Sequence, residues 1–172
     1  PGLLPTVNFA FDASAPFSKL RQYLPHGPLM VTEFWSGWFD HWGEEHHVSA
    51  DGSPSIERST RTLDDILAAG ASVNFYMFHG GTNFGFMNGA NFEFSKYGAD
   101  VTSYDYAAPV DEAGDPNPRY EAYRQVLRKY VNLPDIQLQS ARKLALGPVA
   151  MTGSAGLFDS LDGLSKKHDS LT

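Results

Sequence analysis

The chain has 172 residues and 42% of them are hydrophobic, enough for one ordinary buried core. Its 13 basic and 20 acidic residues leave a formal charge of −7, the opposite of the basic stripe that a nucleic-acid partner requires. Without cysteine, these residues hold no disulfide and no thiolate metal site; no apolar stretch nears the length of a membrane span, and no signal peptide stands at the first residues. The start at Pro1 and the polar run Lys166-Lys167-His168-Asp169-Ser170 lead us to expect a piece of a longer protein.

In chain order, Leu4–Phe11 alternates, with Thr6, Asn8 and Ala10 on one face and Val7, Phe9 and Phe11 on the other, which predicts a strand. A helix is expected over Pro16–Tyr23, with Ser14 or Ala15 near its start. A second strand runs from Pro28 to Glu33 and its loop extends to about Ser53. Ser53-Pro54 supplies an N-cap followed by proline at the first helical position; Ile56, Leu63, Ile66 and Leu67 share a face, and Gly70 stops the helix. The third strand spans Ser72–Phe78. A loop of about forty residues follows, too long for a plain connection and so expected to be functional. A last helix over Pro118–Val131 carries the stripe Tyr120, Tyr123, Val126, Leu127 and Tyr130.

Strands alternating with helices predict an α/β fold with a parallel sheet. The sets Thr6/Asn8/Ala10, Leu29/Val31/Glu33 and Asn74/Tyr76/Phe78 are read as the inward face, mixing polar and bulky residues as a β/α barrel interior does. Pattern alone leaves a barrel and a doubly wound sheet both open. From Asn132 the character changes: Leu133-Pro134 ends the helix, and Leu144–Leu157 carries short β-like runs broken by Gly147-Pro148, Gly153 and Gly156. Residues 1–131 are therefore read as one β/α portion, and 132–172 as a linker and the truncated start of a β-rich accessory domain.

Glu33 is the leading candidate for chemistry. It ends the apolar run Leu29-Met30-Val31-Thr32, and all three tryptophans, Trp35, Trp38 and Trp42, follow within nine positions. A carboxylate at the carboxyl end of a buried strand, beside aromatic rings that stack on sugar C–H faces, suits glycosidic bond cleavage through an oxocarbenium-like transition state. The stretch His79-Gly80-Gly81-Thr82-Asn83, continuing through Asn88 and Asn91 to Thr102-Ser103-Tyr104-Asp105-Tyr106, offers glycines for close backbone approach and amides for hydroxyls. Other chemistries fail on spacing. No G-x-S-x-G elbow accompanies His79-Gly80-Gly81, and no Gly-Lys-Ser/Thr follows the glycines. The run His41-Trp42-Gly43-Glu44-Glu45-His46-His47 misses H-x-x-E-H by one residue, and Gly43 opposes the helix such a motif needs. These histidines are read as solvated loop residues; no metal and no cofactor are called for.

The segment Thr32-Glu33-Phe34-Trp35-Ser36-Gly37-Trp38-Phe39-Asp40-His41-Trp42-Gly43 resembles the nucleophile region of glycoside hydrolase family 35 β-galactosidases. Ser72–Gly85, Thr102–Tyr106 and Glu112-Ala113-Gly114-Asp115 are similar to the same family in the same order, from about Thr6 to Pro134. The resemblance implies a TIM (β/α)8 barrel, of which this chain holds approximately the last three units. It implies a retaining exo-glycosidase that releases terminal β-galactose through a covalent galactosyl-enzyme, with a β-galactoside as substrate partner. Glu33 matches the nucleophile, Tyr106 a tyrosine lining the galactose site with Tyr104 and Asp105 in support, and Trp38 an aromatic wall. Trp35, by the same resemblance a substrate-binding residue, stands where some relatives carry tyrosine. The family's acid/base is a glutamate after an asparagine on an earlier strand, upstream of Pro1, so these residues alone are expected to be inactive. Work in lysosomes, vacuoles or outside cells is the family's usual setting. The rival class is a carbohydrate-binding relative that keeps the pocket without turnover; the upstream Asn-Glu separates the two.

Overall fold

A computed structural model describes residues 2–47, 55–83, 87–93 and 95–164. The chain divides into two units, Pro1–Ala141 and Arg142–Thr172. In the first, β1 (Val7–Phe9), β2 (Met30–Trp35) and β3 (Ser72–Tyr76) form a parallel sheet in the order β1-β2-β3. Between them run α1 (Ser14–Tyr23) and α2 (Ile56–Ala68). The long loop after β3 is organised by short antiparallel pairs, β4 (Gly81–Thr82) with β7 (Ser103–Tyr104) and β5 (Ala90–Glu93) with β6 (Lys96–Ala99). Helix α3 (Pro118–Leu127) follows.

Each helix starts where local chemistry satisfies its free N–H groups. Ser55, not Ser53, caps α2, its Oγ accepting from Arg58 N at 3.2 Å; Ser53 and Pro54 lie outside the described residues. Asn117 caps α3, accepting from Arg119 N and Tyr120 N, with Pro118 pre-set in the first turn. The helix ends at Leu127 rather than Val131, because the chain tightens into bonds such as Lys129 N to Val126 O. Tyr130, counted in the apolar stripe, is instead on the surface with its hydroxyl donating to Asp64 Oδ1 at 2.6 Å.

The core lies between the sheet and its helices. Phe9, Leu29, Val31 and Phe34 meet Phe17 and Leu20 of α1, Leu63 and Ile66 of α2, and Tyr123 and Val126 of α3. Val31, Phe34, Leu63 and Ile66 have no exposed surface at all. Burial of that kind stabilises by about 1.5–3 kcal/mol per large side chain. Arg119 crosses this layer to donate to Ser59 Oγ at 2.6 Å, joining α3 to α2.

Leu29 and Val31 therefore face the helices and do not share a face with Glu33, as alternation had suggested. Residue pairing explains it. Val7 lies opposite Val31 but Asn8 lies opposite Glu33; on the other side Val31 pairs with Val73 and Phe34 with Phe75. Strand β2 thus holds one residue more than either neighbour. This bulge keeps Val31 and Phe34, three positions apart, both in the core, while Thr32 and Glu33 both leave it. Phe78 also departs from the inward set: the strand has ended at Tyr76, and its ring packs 6.0 Å from Tyr120 of α3.

In the second unit, the β-like runs over Leu144–Leu157 form no strand among the described residues, and a helix, α4 (Leu157–Leu164), follows them. Glycines that break a strand pattern also free the backbone from any ladder, and among the described residues no strand pairs with these runs. Among the described residues no helix is long and apolar enough to cross a membrane.

Candidate active site

The face of the sheet opposite the helices is polar. Thr6 Oγ1 lies 2.8 Å from Thr32 Oγ1, which donates to Asn8 Oδ1 at 2.7 Å, and Asn74 Nδ2 donates to Thr32 O at 2.9 Å. Bonds that run from β1 across β2 to β3 lead to Glu33, which lies two residues before the end of β2, because the strand runs on to Trp35 where the sequence had suggested a stop at Glu33. Its Oε2 accepts from Trp35 Nε1 at 2.9 Å. Tyr76, at the end of β3, has its hydroxyl 3.2 Å from that of Tyr104.

An aromatic group closes over these strand ends. Tyr106 stacks on Tyr104 with ring centroids 5.3 Å apart, meets Tyr76 edge-on at 5.4 Å and lies 6.0 Å from Trp38. Phe39 stacks on both Trp38 and Tyr104. Tyr106 is fully buried, and its hydroxyl has no hydrogen-bond partner among the described residues. Burial first, then Tyr76 and the Glu33 carboxylate, push its phenol well above the ordinary range. Burial and the Tyr76 hydroxyl do the same for Tyr104. Both phenols therefore stay protonated and able to donate.

The turn that carries Tyr106 is strained and braced. Tyr106 and Ala107 both adopt left-handed backbone, with φ of 61° and 51°. Asp105 Oδ1 accepts from Ala107 N at 2.9 Å, making that acid a fixed acceptor within its own turn. The buried Ser36 hydroxyl sits 3.2 Å from Tyr106 O and 3.3 Å from Met77 O, so the residue after β2 reaches both the turn and the chain just past β3. Asn117 Nδ2 adds a bond to Ala108 O at 2.6 Å. The turn also presses on two glycines. A Cβ on Gly37 would stand 2.4 Å from Tyr106 O, and one on Gly80 would stand 2.1 Å from Asp105 O. Glycine at position 80 thus serves close approach by the chain's own backbone, where the sequence had suggested approach by a ligand.

The structure brings together Glu33, Trp35, Trp38, Tyr104 and Tyr106, with Asp105 bracing the turn. Ser36, Gly37 and Tyr76 belong to the same assembly; the first two were not singled out from sequence, and Tyr76 was read only as an inward-facing strand residue. The signal of the first two is a Ser-Gly pair directly after the strand that carries the carboxylate, which marks a tight approach of two segments. The histidine run pairs with acids instead of clustering: His46 and His47 sit on Asp40 at 2.6 and 2.7 Å, and His41 lies between Glu44 and Asp100. Among the described residues no three His, Asp or Glu side chains converge as metal ligands would. Phe84, Gly85 and Phe86 of the glycine-rich stretch lie outside the described residues.

A parallel β/α sheet that gathers a carboxylate and aromatic rings at the carboxyl ends of its strands places the chain among α/β proteins with a strand-end site. The chain belongs to the glycosyl hydrolases family 35, whose model matches residues 1–130. Membership of that family implies a TIM barrel. Among its relatives, a mouse (Mus musculus) beta-galactosidase-1-like protein is 44% identical over 166 residues, covering 95% of this chain and 25% of the relative. Human (Homo sapiens) beta-galactosidase is 44% identical over 153 residues, with 87% and 21% covered. A beta-galactosidase of Xanthomonas manihotis is 40% identical over 166 residues, with 94% and 27% covered. The chain thus spans about a quarter of the length of these relatives.

Proposed function

We propose that the protein carrying these residues is a retaining exo-glycosidase that removes terminal β-galactose from glycans or glycoconjugates. The observation that carries this reading is Glu33: a bulge turns its carboxylate out of the core near the end of β2, onto the indole N–H of Trp35 and into the field of Tyr106, a buried tyrosine whose hydroxyl has no partner among the described residues and whose ring lies beside Trp38. Beta-galactosidase relatives support the choice of galactose. In this reading residues 1–131 are approximately the last three units of the barrel, and 132–172 are a linker and the start of a β-rich accessory domain.

Glu33 then attacks the anomeric carbon, forming a galactosyl ester as the bond to the leaving oxygen breaks. A second carboxyl group, about 5–5.5 Å away, protonates that oxygen and later takes a proton from the attacking water. The family resemblance assigns that role to a glutamate upstream of Pro1. Trp38 forms an aromatic wall, Tyr106 donates to a sugar hydroxyl, and Tyr104 and Asp105 keep Tyr106 in place.

The test is Glu33→Gln in the full-length protein, assayed on an activated β-galactoside. Turnover should fall by roughly four powers of ten or more while thermal stability holds, because the amide keeps the carboxylate's shape but cannot form the ester. Retained turnover removes the nucleophile assignment. A wild-type protein that binds galactosides and turns none over identifies the non-catalytic relative instead.

A further inference from the structure

The resemblance makes Trp35 a sugar-contacting residue, but the geometry gives it another partner. Its indole nitrogen is 2.9 Å from Glu33 Oε2. Residues i and i+2 of a strand point to one side, so the bulge that turns Glu33 out of the core also sets it beside Trp35. Trp35 is half-buried and pairs with Tyr76 across the ladder. An indole N–H can only donate, and a half-buried donor needs an acceptor; Glu33 is the acceptor here. A carboxylate has two oxygens, and one of Glu33's is committed to this bond.

We propose that Trp35 is a positioning residue for the nucleophile: its N–H fixes Oε2 of Glu33, presents Oε1 to the anomeric carbon, and holds the carboxylate as it is released. The inference rests on the reading of Glu33 as nucleophile. In the first half-reaction Oε1 forms its bond to the anomeric carbon while the bond to the leaving oxygen breaks, and that oxygen takes a proton from the upstream carboxylic acid. In the second half, water oxygen bonds to the same carbon, its proton passes to the upstream carboxylate, and the electron pair of the ester bond returns to Glu33. The returning charge spreads over both carboxylate oxygens and meets the indole N–H. A hydrogen bond to an anion is stronger than one to an ester, so Trp35 assists release more than attack.

The experiment compares Trp35→Phe and Trp35→Tyr with wild type in the full-length protein, using a nitrophenyl β-galactoside and free galactose as competing inhibitor. Trp35→Phe keeps an aromatic ring and removes the donor. It should lower kcat by roughly ten- to a hundredfold, the scale of one hydrogen bond to a charged group. Galactose inhibition should stay within about twofold of wild type, since the lost bond is to Glu33 and not to sugar. A pre-steady-state burst of nitrophenol should appear or grow, because the galactosyl ester now breaks down more slowly. Trp35→Tyr, which restores an O–H donor, should recover part of kcat. A galactose constant that weakens in step with kcat makes Trp35 a sugar wall and overturns the proposal, as does an unchanged kcat in Trp35→Phe. Should Trp35→Phe fold poorly, the indole N–H band in the ultraviolet resonance Raman difference between wild type and Glu33→Gln decides: a weaker hydrogen bond in Glu33→Gln supports the pairing and no change overturns it. Full activity of Glu33→Gln, by contrast, removes the underlying reading and not merely the role of Trp35.

Discussion

The two faces of the β1–β2–β3 sheet obey different rules although they share a backbone. Toward the helices, Phe9, Val31 and Phe34 sit in an apolar layer where packing dominates, with the Arg119–Ser59 bond crossing it. Toward the strand ends, Thr6, Asn8, Thr32, Glu33 and Asn74 each hold a hydrogen-bond partner, and neighbouring loops adopt left-handed backbone to reach them. One extra residue in β2 lets a single strand serve both, sending two consecutive side chains outward without taking an apolar one from the core. The stable face fixes the frame, and the polar face uses that rigidity to hold groups in positions they would not choose alone.

The sharpest way to break this comparison is to truncate one residue on each face of β2. Phe34→Ala should cost about 3–5 kcal/mol in denaturant unfolding of the full-length protein, as large core truncations do. Thr32→Val, two positions earlier and on the other face, should cost only about 1–3 kcal/mol, the net worth of the two hydroxyl bonds it removes. Equal losses would mean that the two faces are not energetically distinct.

Two buried tyrosines extend the contrast, because neither hydroxyl has a hydrogen-bond partner among the described residues. Tyr123 lies in the core and Tyr106 in the site. Removing either hydroxyl should leave stability unchanged or slightly raised, since a buried unpaired group is unfavourable by about 1–3 kcal/mol. Only Tyr106→Phe should weaken galactoside recognition, by a similar amount, read as a rise in KM or in the galactose inhibition constant. Loss of recognition in Tyr123→Phe, or none in Tyr106→Phe, would remove the division between core and site.

The smallest effect belongs to the loop beyond Trp38. Burial works against protonation of His41, yet its bonds to Asn91 and Glu44 and the charges of Glu44 and Asp100 outweigh this and raise its pKa. A histidine raised in the folded state adds stability that is fully present below its unfolded value of about 6.5 and is lost as pH rises through the folded one. His41→Gln should therefore flatten the fall in Tm from mildly acidic to mildly alkaline pH. A profile that keeps the wild-type slope assigns that slope to other groups.

Three parallel strands separated by helices were legible because alternation, caps and stops are local: each element depends on neighbours a few residues away. Glu33 stood out for the same reason, as a charge ending an apolar run beside three tryptophans. The face on which Glu33 lies was not legible. Period-two reading put it with Leu29 and Val31, and only pairing to β1 and β3 reveals the extra residue that separates them. The end of β3 likewise turned Phe78 toward α3. The β-like runs near the carboxyl end form no strand among the described residues, since a strand's hydrogen bonds lie outside itself. Ser36, Gly37 and Gly80 needed the fold most of all. Their roles depend on Asp105 and Tyr106, far along the chain, and a missing Cβ acquires meaning only when another backbone arrives to fill its place. The sequence by itself determined the elements and the acid; tertiary pairing decided which way the acid points and what holds the rings around it.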